Sequence, residues 1–225
     1  METKRLFAFG DSIMKGVVFD GTSHHTSVNN FATVVSQHMG MPLINCAKMG
    51  HTILDGWRVF EMRKQQLHEG DTAFIEFGGN DCDFQWLNIG NDPSGVHMPR
   101  TRLSLFKEKY TSLINTIKSM GVHPLLFSLP PLQSDCYFRY FTQGMSEIQK
   151  VNILKWLGGK VEFIGNWHEH YNLAIYQIGA STCSQVIDIS SCFLSHSNYK
   201  DYLCADGIHP NELGHSLIAQ TLTLG

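Results

Sequence analysis

Five short apolar runs, separated by stretches of helical periodicity, constrain this chain more than any other feature of its sequence. The runs are Arg5–Phe9, Pro42–Cys46, Ala73–Phe77, Pro124–Ser128 and Gln185–Ile189. Each is rich in Leu, Ile, Val or Phe and bounded by Gly, Pro, Asp or Ser, which is how strands read in sequence. Runs that are apolar at nearly every position suit strands covered on both faces, as in a parallel sheet. Between them, Phe31, Val34, Val35, His38 and Met39 recur at helical spacing and stop at Gly40. Phe106, Tyr110, Leu113, Ile114, Ile117 and Met120 repeat the pattern, with Thr101 as a candidate N-cap and Gly121 just past the end. Tyr171, Ala174, Ile175 and Ile178 mark a further helix, and Leu213, Leu217 and Ile218 a last one started by Pro210. The alternation predicts a three-layer α/β/α domain with about five parallel strands and right-handed crossovers, spanning residues 1–225 as a single unit. Periodicity leaves the strand order open.

The formal charge of −3 comes with no basic stripe, which argues against a nucleic-acid partner, since phosphates call for clustered Lys and Arg. The longest charge-free stretch worth testing as a membrane span, Tyr171–Ile187, is broken by Asn172, Gln177, Ser181, Thr182, Ser184 and Gln185. Only five residues separate the basic pair near the N-terminus from Asp11, too few for a signal sequence, so the chain is read as cytoplasmic. Six cysteines without a CxxC pair are read as reduced thiols, and the nine methionines as packing at helical core positions. No metal is expected. His168-Glu169-His170 lacks the i, i+4 spacing of a helical zinc pair, and His24-His25 are read as neighbours facing apart on a helix.

Four segments lie at the ends of these elements and carry polar chemistry. Gly10-Asp11-Ser12 follows the first run; a serine there exposes its hydroxyl and points its backbone N–H forward near a helix start. Asn45–Thr52 follows the second, and Gly50 within it either brings a backbone N–H close to a ligand or supplies a positive φ. Gly78-Gly79-Asn80-Asp81 follows the third, with Asn80 placed to aim an amide donor into a cleft. Asp206-Gly207-Ile208-His209-Pro210 precedes the last helix, and a carboxylate there can hold one ring nitrogen of the imidazole. Alone, each segment is also a routine turn signal. Two connections, Cys82–Arg100 and Pro130–Gly144, are longer than such folds need and carry Phe84, Trp86, Tyr137, Phe138, Tyr140 and Phe141. They read as loops walling a cleft.

In order and spacing the four segments resemble the blocks of the SGNH (GDSL) hydrolase superfamily, and the resemblance covers nearly the whole chain. Ser12 stands in a GDS block, Gly50 in N-x-A-x-x-G-x-T, Asn80 in GGND, and Asp206 with His209 in DGIHP. Ile13 stands where the family's other name would place Leu, a conservative departure. The resemblance implies a flavodoxin-like sheet of order 2-1-3-4-5. Such a sheet reverses direction beside its first strand, and open α/β sheets bind ligands at that switch point. It further implies Ser12 as nucleophile, His209 as base and Asp206 as its orienting acid. The N–H groups of Ser12 and Gly50 and the Asn80 amide would form the oxyanion hole, and no cofactor is needed.

The expected activity is hydrolysis of a small-molecule ester with a short acyl group, acetyl first, carried by a carbohydrate or another soluble alcohol. Asp11, Trp86, Tyr137 and Phe138 are the expected substrate contacts. The alternatives are a lysophospholipase or thioesterase of the same superfamily and, from another class, a catalytically silent binding module on the same fold. Oligomeric state is not legible.

Overall fold

The computed structural model describes residues 4–223. Seven strands form: β1 Leu6–Gly10, β2 Val17–Phe19, β3 His24–Thr26, β4 Leu43–Asn45, β5 Thr72–Glu76, β6 His123–Phe127 and β7 Gln185–Ile187. The first half carries helices α1 Ser12–Lys15, α2 Phe31–Met39, α3 Ile53–Arg63, α4 Gly79–Cys82, α5 Trp86–Asn91 and α6 Leu103–Ser119. The second half adds α7 Ser134–Phe141, α8 Glu147–Trp156, α9 Glu162–Thr182, α10 Ile189–Leu194 and α11 Glu212–Thr223.

The main sheet is parallel, in the order β4-β1-β5-β6-β7; setting aside the β2–β3 hairpin, this is 2-1-3-4-5. Side-chain alternation along each strand sorts the core into two layers. Phe7, Phe9 and Ile75 face α3, α6 and α9, meeting Phe60, Tyr110 and Ile175. Leu6, Ala8, Phe74 and Phe127 face the other way, onto α2, α10 and α11, meeting Phe31, Phe193 and Ile218. Each of these buried rings and branched chains contributes roughly 1.5–3 kcal/mol relative to exposure. A third cluster, built on Phe84, Trp86, Ile89, Ile153, Leu157 and Ile164, joins α5 and α8 to the start of α9.

Several sequence expectations are corrected. The fifth strand ends at Ile187, because Asp188 Oδ1 accepts the Ser191 N–H at 2.9 Å and starts α10. Arg102, not Thr101, stands at the N-cap position of α6, with no side-chain cap; Thr101 is drawn inward, donating its N–H to the Asp81 carbonyl and accepting at its own carbonyl from Tyr171 Oη. α11 starts at Glu212, two residues past Pro210, where Asn211 Oδ1 accepts the Gly214 N–H at 3.0 Å. The long connections are not bare loops, since they contain α5, which buries Trp86 and Ile89, and α7, whose half-buried Tyr137, Phe138 and Phe141 pack on the same cluster. α3 and α8 were not anticipated, although Ser146 and Gln149 form a capping box ahead of α8. His24 and His25 sit on β3, paired with Phe19 and Val18, rather than on a helix. The methionines divide: Met14 is fully buried, whereas Met39, Met49, Met62 and Met98 are exposed, two of them in connections outside the helices. All six cysteines are free thiols. Among the described residues, no helix is long and apolar enough to cross a membrane.

Candidate active site

The turn after β1 is built by what its glycine lacks. A Cβ on Gly10 would lie 2.4 Å from Met14 Cβ and 2.8 Å from the Glu76 carbonyl oxygen, so the chain passes there only as glycine. Asp11 then caps α1, its Oδ1 accepting the Ile13 N–H at 2.9 Å. Ser12 becomes the first helical residue, and the N–H of such a residue has no partner within the helix.

The loops after β4 and β5 come alongside. Asn45 Nδ2 donates to the Met14 carbonyl at 3.2 Å, and the Lys48 N–H donates to the Gly10 carbonyl at 3.2 Å. Together they lay the Asn45–Thr52 segment against the β1 turn, with Gly50 at φ +80°. Asn80, in the first turn of α4, donates from Nδ2 to Asp11 Oδ2 at 2.8 Å. Arg100 spans the two loops, donating to Asn80 Oδ1 at 3.2 Å and to the Gly50 carbonyl at 3.0 Å.

The segment before α11 folds into a tight turn closed by Cys204 N–H donating to the His209 carbonyl at 2.7 Å. Gly207 holds φ +78° against Cys136 and the Gln133 carbonyl, where a Cβ would clash at 2.7 Å. Asp206 Oδ1 accepts the N–H groups of Ile208 and His209, both at 3.1 Å. Its Oδ2 meets His209 Nδ1 at 2.6 Å, and His209 Nε2 meets Ser12 Oγ at 2.8 Å. Burial alone would raise the Asp206 pKa. The His209 contact and the two backbone donors outweigh it and hold the carboxyl below its ordinary range, hence ionised.

Beneath this line lies a set of buried acids. Burial, reinforced by the Asp11 charge, pushes Glu76 well above the usual carboxylate range. Burial also raises Asp11, countered by the Ile13 N–H, Glu76 and Asn80. Asp81, whose two oxygens accept the Ile53 N–H at 3.0 and 3.1 Å, is pushed by burial to about 7. Asp83 is raised by burial and accepts from Trp86 Nε1 at 2.7 Å and Tyr137 Oη at 2.9 Å.

Ser12, Gly50, Asn80 and His209 open onto a cavity of about 190 Å³. Its far wall is aromatic: Phe84, Trp86, Tyr137, Phe141 and Trp167, with the Trp86 and Phe141 rings stacked at 4.4 Å. His168 also lines it and is kept neutral by burial, its pKa lowered to about 4. The rings line this space instead of filling it. Asp11, Trp86 and Tyr137 are on the wall, but Phe138 is not: it turns away by one helical step and packs edge-on against Phe141 in the third cluster. Sequence gives no role to Arg100 or Glu76, and His24 stands in it only as a neighbour of His25 facing apart on a helix, with no metal expected. Arg100 appeared there only as the end of a long connection, and nothing in sequence spacing ties it to Asn80. Among the described residues, one group has the donors for a metal ion, His24, Asp206 and His209, whose candidate ligand atoms all lie within 4.8 Å of one another.

A family model described as GDSL-like lipase/acylhydrolase matches residues 8–217. No curated protein sequence matches the chain. Among solved structures, a lipase/acylhydrolase from Enterococcus faecalis superposes with a TM-score of 0.64 at 20% identity, covering 99% of this chain and 94% of that one. A catalytic mutant of an acetylxylan esterase from Geobacillus stearothermophilus superposes at 0.63 with 15% identity, covering 98% and 93%. At these identities the likeness is one of fold.

Proposed function

The chain belongs to the GDSL-like lipase/acylhydrolase family, and on that premise we propose that it hydrolyses a carboxylic ester through an acyl-enzyme on Ser12. The observation that carries this reading is the unbroken line Ser12 Oγ, His209, Asp206, with contacts of 2.8 and 2.6 Å, opening on the cavity. As Oγ attacks the ester carbonyl carbon, His209 Nε2 takes its proton, and Asp206 stabilises the imidazolium. The oxyanion is held by the N–H groups of Ser12 and Gly50 and by Asn80 Nδ2, which Asp11 and Arg100 keep turned to the cleft. Collapse expels the alkoxide, which leaves with the proton from His209. Water then attacks the acyl-enzyme, giving its proton to the same nitrogen, and as the intermediate collapses His209 passes that proton to the leaving Ser12 Oγ, releasing the carboxylic acid and restoring free Ser12.

The substrate we propose is a short-chain ester, acetyl first, of a carbohydrate or similar small alcohol. An acetyl methyl needs little room beside Ser12, leaving the aromatic wall to stack on the alcohol half. Acetylxylan esterase activity in a protein of the same fold supports this. A second reading, a longer acyl chain, is favoured by the apolar character of the 190 Å³ space, since each buried methylene is worth about 0.8 kcal/mol. A p-nitrophenyl ester series from acetate to octanoate, beside acetylated sugars, separates them. kcat/KM falling along the series supports the short-acyl substrate; octanoate faster than acetate removes it. Ser12→Ala should lose activity by several orders of magnitude on whichever ester is best.

A further inference from the structure

The β2–β3 hairpin has no part in the sheet, yet it carries one side chain to the centre of the site. His24 stacks on Phe19, its cross-strand partner, at 4.7 Å, and lies edge-on to Tyr140 at 6.0 Å and to His209 at 5.1 Å. These three rings fix its plane. Nε2 then points at Asp206 Oδ2, 3.5 Å away, the same oxygen that meets His209 Nδ1 at 2.6 Å. The Nε2 atom is buried and makes no hydrogen bond. A buried imidazole nitrogen with no hydrogen-bond partner, set beside a carboxylate and a second imidazole, is placed to serve as a ligand atom.

We infer that His24, Asp206 and His209 form a binding site for a borderline divalent transition metal, Zn²⁺ foremost, and that the ion switches the enzyme off. Two imidazoles and one carboxylate are a donor set that suits zinc. Tetrahedral zinc holds ligands at about 2.0–2.2 Å, placing neighbouring ligand atoms about 3.3 Å apart. The His24 to Asp206 edge, at 3.5 Å, is already there, and the Asp206 to His209 edge has to open from 2.6 Å. The fourth position is left to a water molecule on the cavity side, where His24 and His209 form part of the wall.

The proton balance explains the inhibition. In the metal-free site, neutral His209 carries its proton on Nδ1 and presents a lone pair at Nε2 to Ser12. Zinc takes the Nδ1 lone pair, so the proton moves to Nε2. No proton is gained or lost, but Nε2 can no longer accept one from Ser12. The inhibitory consequence rests on the function proposed above, whereas the binding does not.

The test uses wild type, His24→Ala and His24→Phe, the last keeping the ring stack on Phe19 and Tyr140 while removing the ligand atom. Zn²⁺ alone is titrated calorimetrically, and Co²⁺ is added as a spectroscopic probe. Wild type should bind one Zn²⁺ at least about tenfold more tightly than either variant, and only wild type should give the visible bands of tetrahedral Co²⁺. Zn²⁺ should also block fluorophosphonate labelling of wild-type Ser12, a chelator should restore it, and Mg²⁺ should do nothing. Equal Zn²⁺ affinity in wild type and His24→Phe, or labelling that persists on the zinc-loaded protein, overturns the inference. If metal-free wild type is not labelled at all, the hydrolase reading fails, and the calorimetry and Co²⁺ spectra still decide the metal site.

Discussion

Arg100 sets one guanidinium against both loops that supply the proposed oxyanion donors, through Asn80 Oδ1 and the Gly50 carbonyl. With Oδ1 held by Arg100 and one Nδ2 hydrogen held by Asp11, the Asn80 amide cannot flip. Lysine keeps the charge but has no planar fork to bridge two acceptors. Arg100→Lys should therefore lower kcat about tenfold with little change in KM, less than the 10²–10³ typical of deleting a donor outright. A fall in KM-dependent binding with kcat intact would place Arg100 on the substrate instead. Asp81 makes a prediction about stability. Its folded pKa of about 7 exceeds the unfolded 3.8, so the folded state holds the extra proton between those values. The stability it contributes is whole below about pH 4 and is lost as pH rises toward 7. Asp81→Asn keeps an acceptor for Ile53 and removes that loss. Relative to wild type, the variant should gain on the order of 2 kcal/mol between pH 5 and 7 and then hold level, in urea melts at several pH values. A difference that does not change with pH would mean that Asp81 is ionised in the fold.

At the scale of elements, α5 and α7 form the outer wall of the site and are tied twice: Asp83 accepts from Trp86 on the one and Tyr137 on the other, and the Trp86 ring stacks on Phe141. Trp86 is buried in the third cluster as well as lining the cavity, so Trp86→Ala should cost about 3–5 kcal/mol of stability. The same change enlarges the cavity and should flatten the dependence of kcat/KM on acyl length. An unchanged profile would show that the acyl chain never reaches that wall. The five core strands were legible because apolar runs buried on both faces leave little else to be. α5 and α7 were not, since connection length was read ahead of periodicity. Read as a helix, residues 134–141 put Tyr137, Tyr140 and Phe141 on one face at i, i+3, i+4 and turn Phe138 aside, as observed. The hairpin gave no signal: three residues of HHT paired with VVF are too few for either pattern, and its register comes from packing on Cys204 and Tyr140.

For the whole molecule, the sheet order decides where chemistry can gather. β1 lies between β4 and β5, so Ser12, Gly50 and Asn80 all leave adjacent carboxyl ends at the point where the strand order reverses. Block order along the chain made those three legible. His209 is 197 residues from Ser12, and only the return of the chain through β7 and α10 brings it to 2.8 Å. Sequence therefore named Ser12, Gly50, Asn80, Asp206 and His209, which the fold brings to one cleft, and contacts across the chain add Arg100, Glu76 and His24 around them. The central claim, that Ser12 and His209 act as one nucleophile, is tested most directly by fluorophosphonate labelling of wild type and His209→Ala with peptide mapping. The account predicts a single phosphonylated residue, Ser12, and labelling slowed by several orders of magnitude in the variant. Labelling at a different serine, or at an undiminished rate without His209, would contradict it.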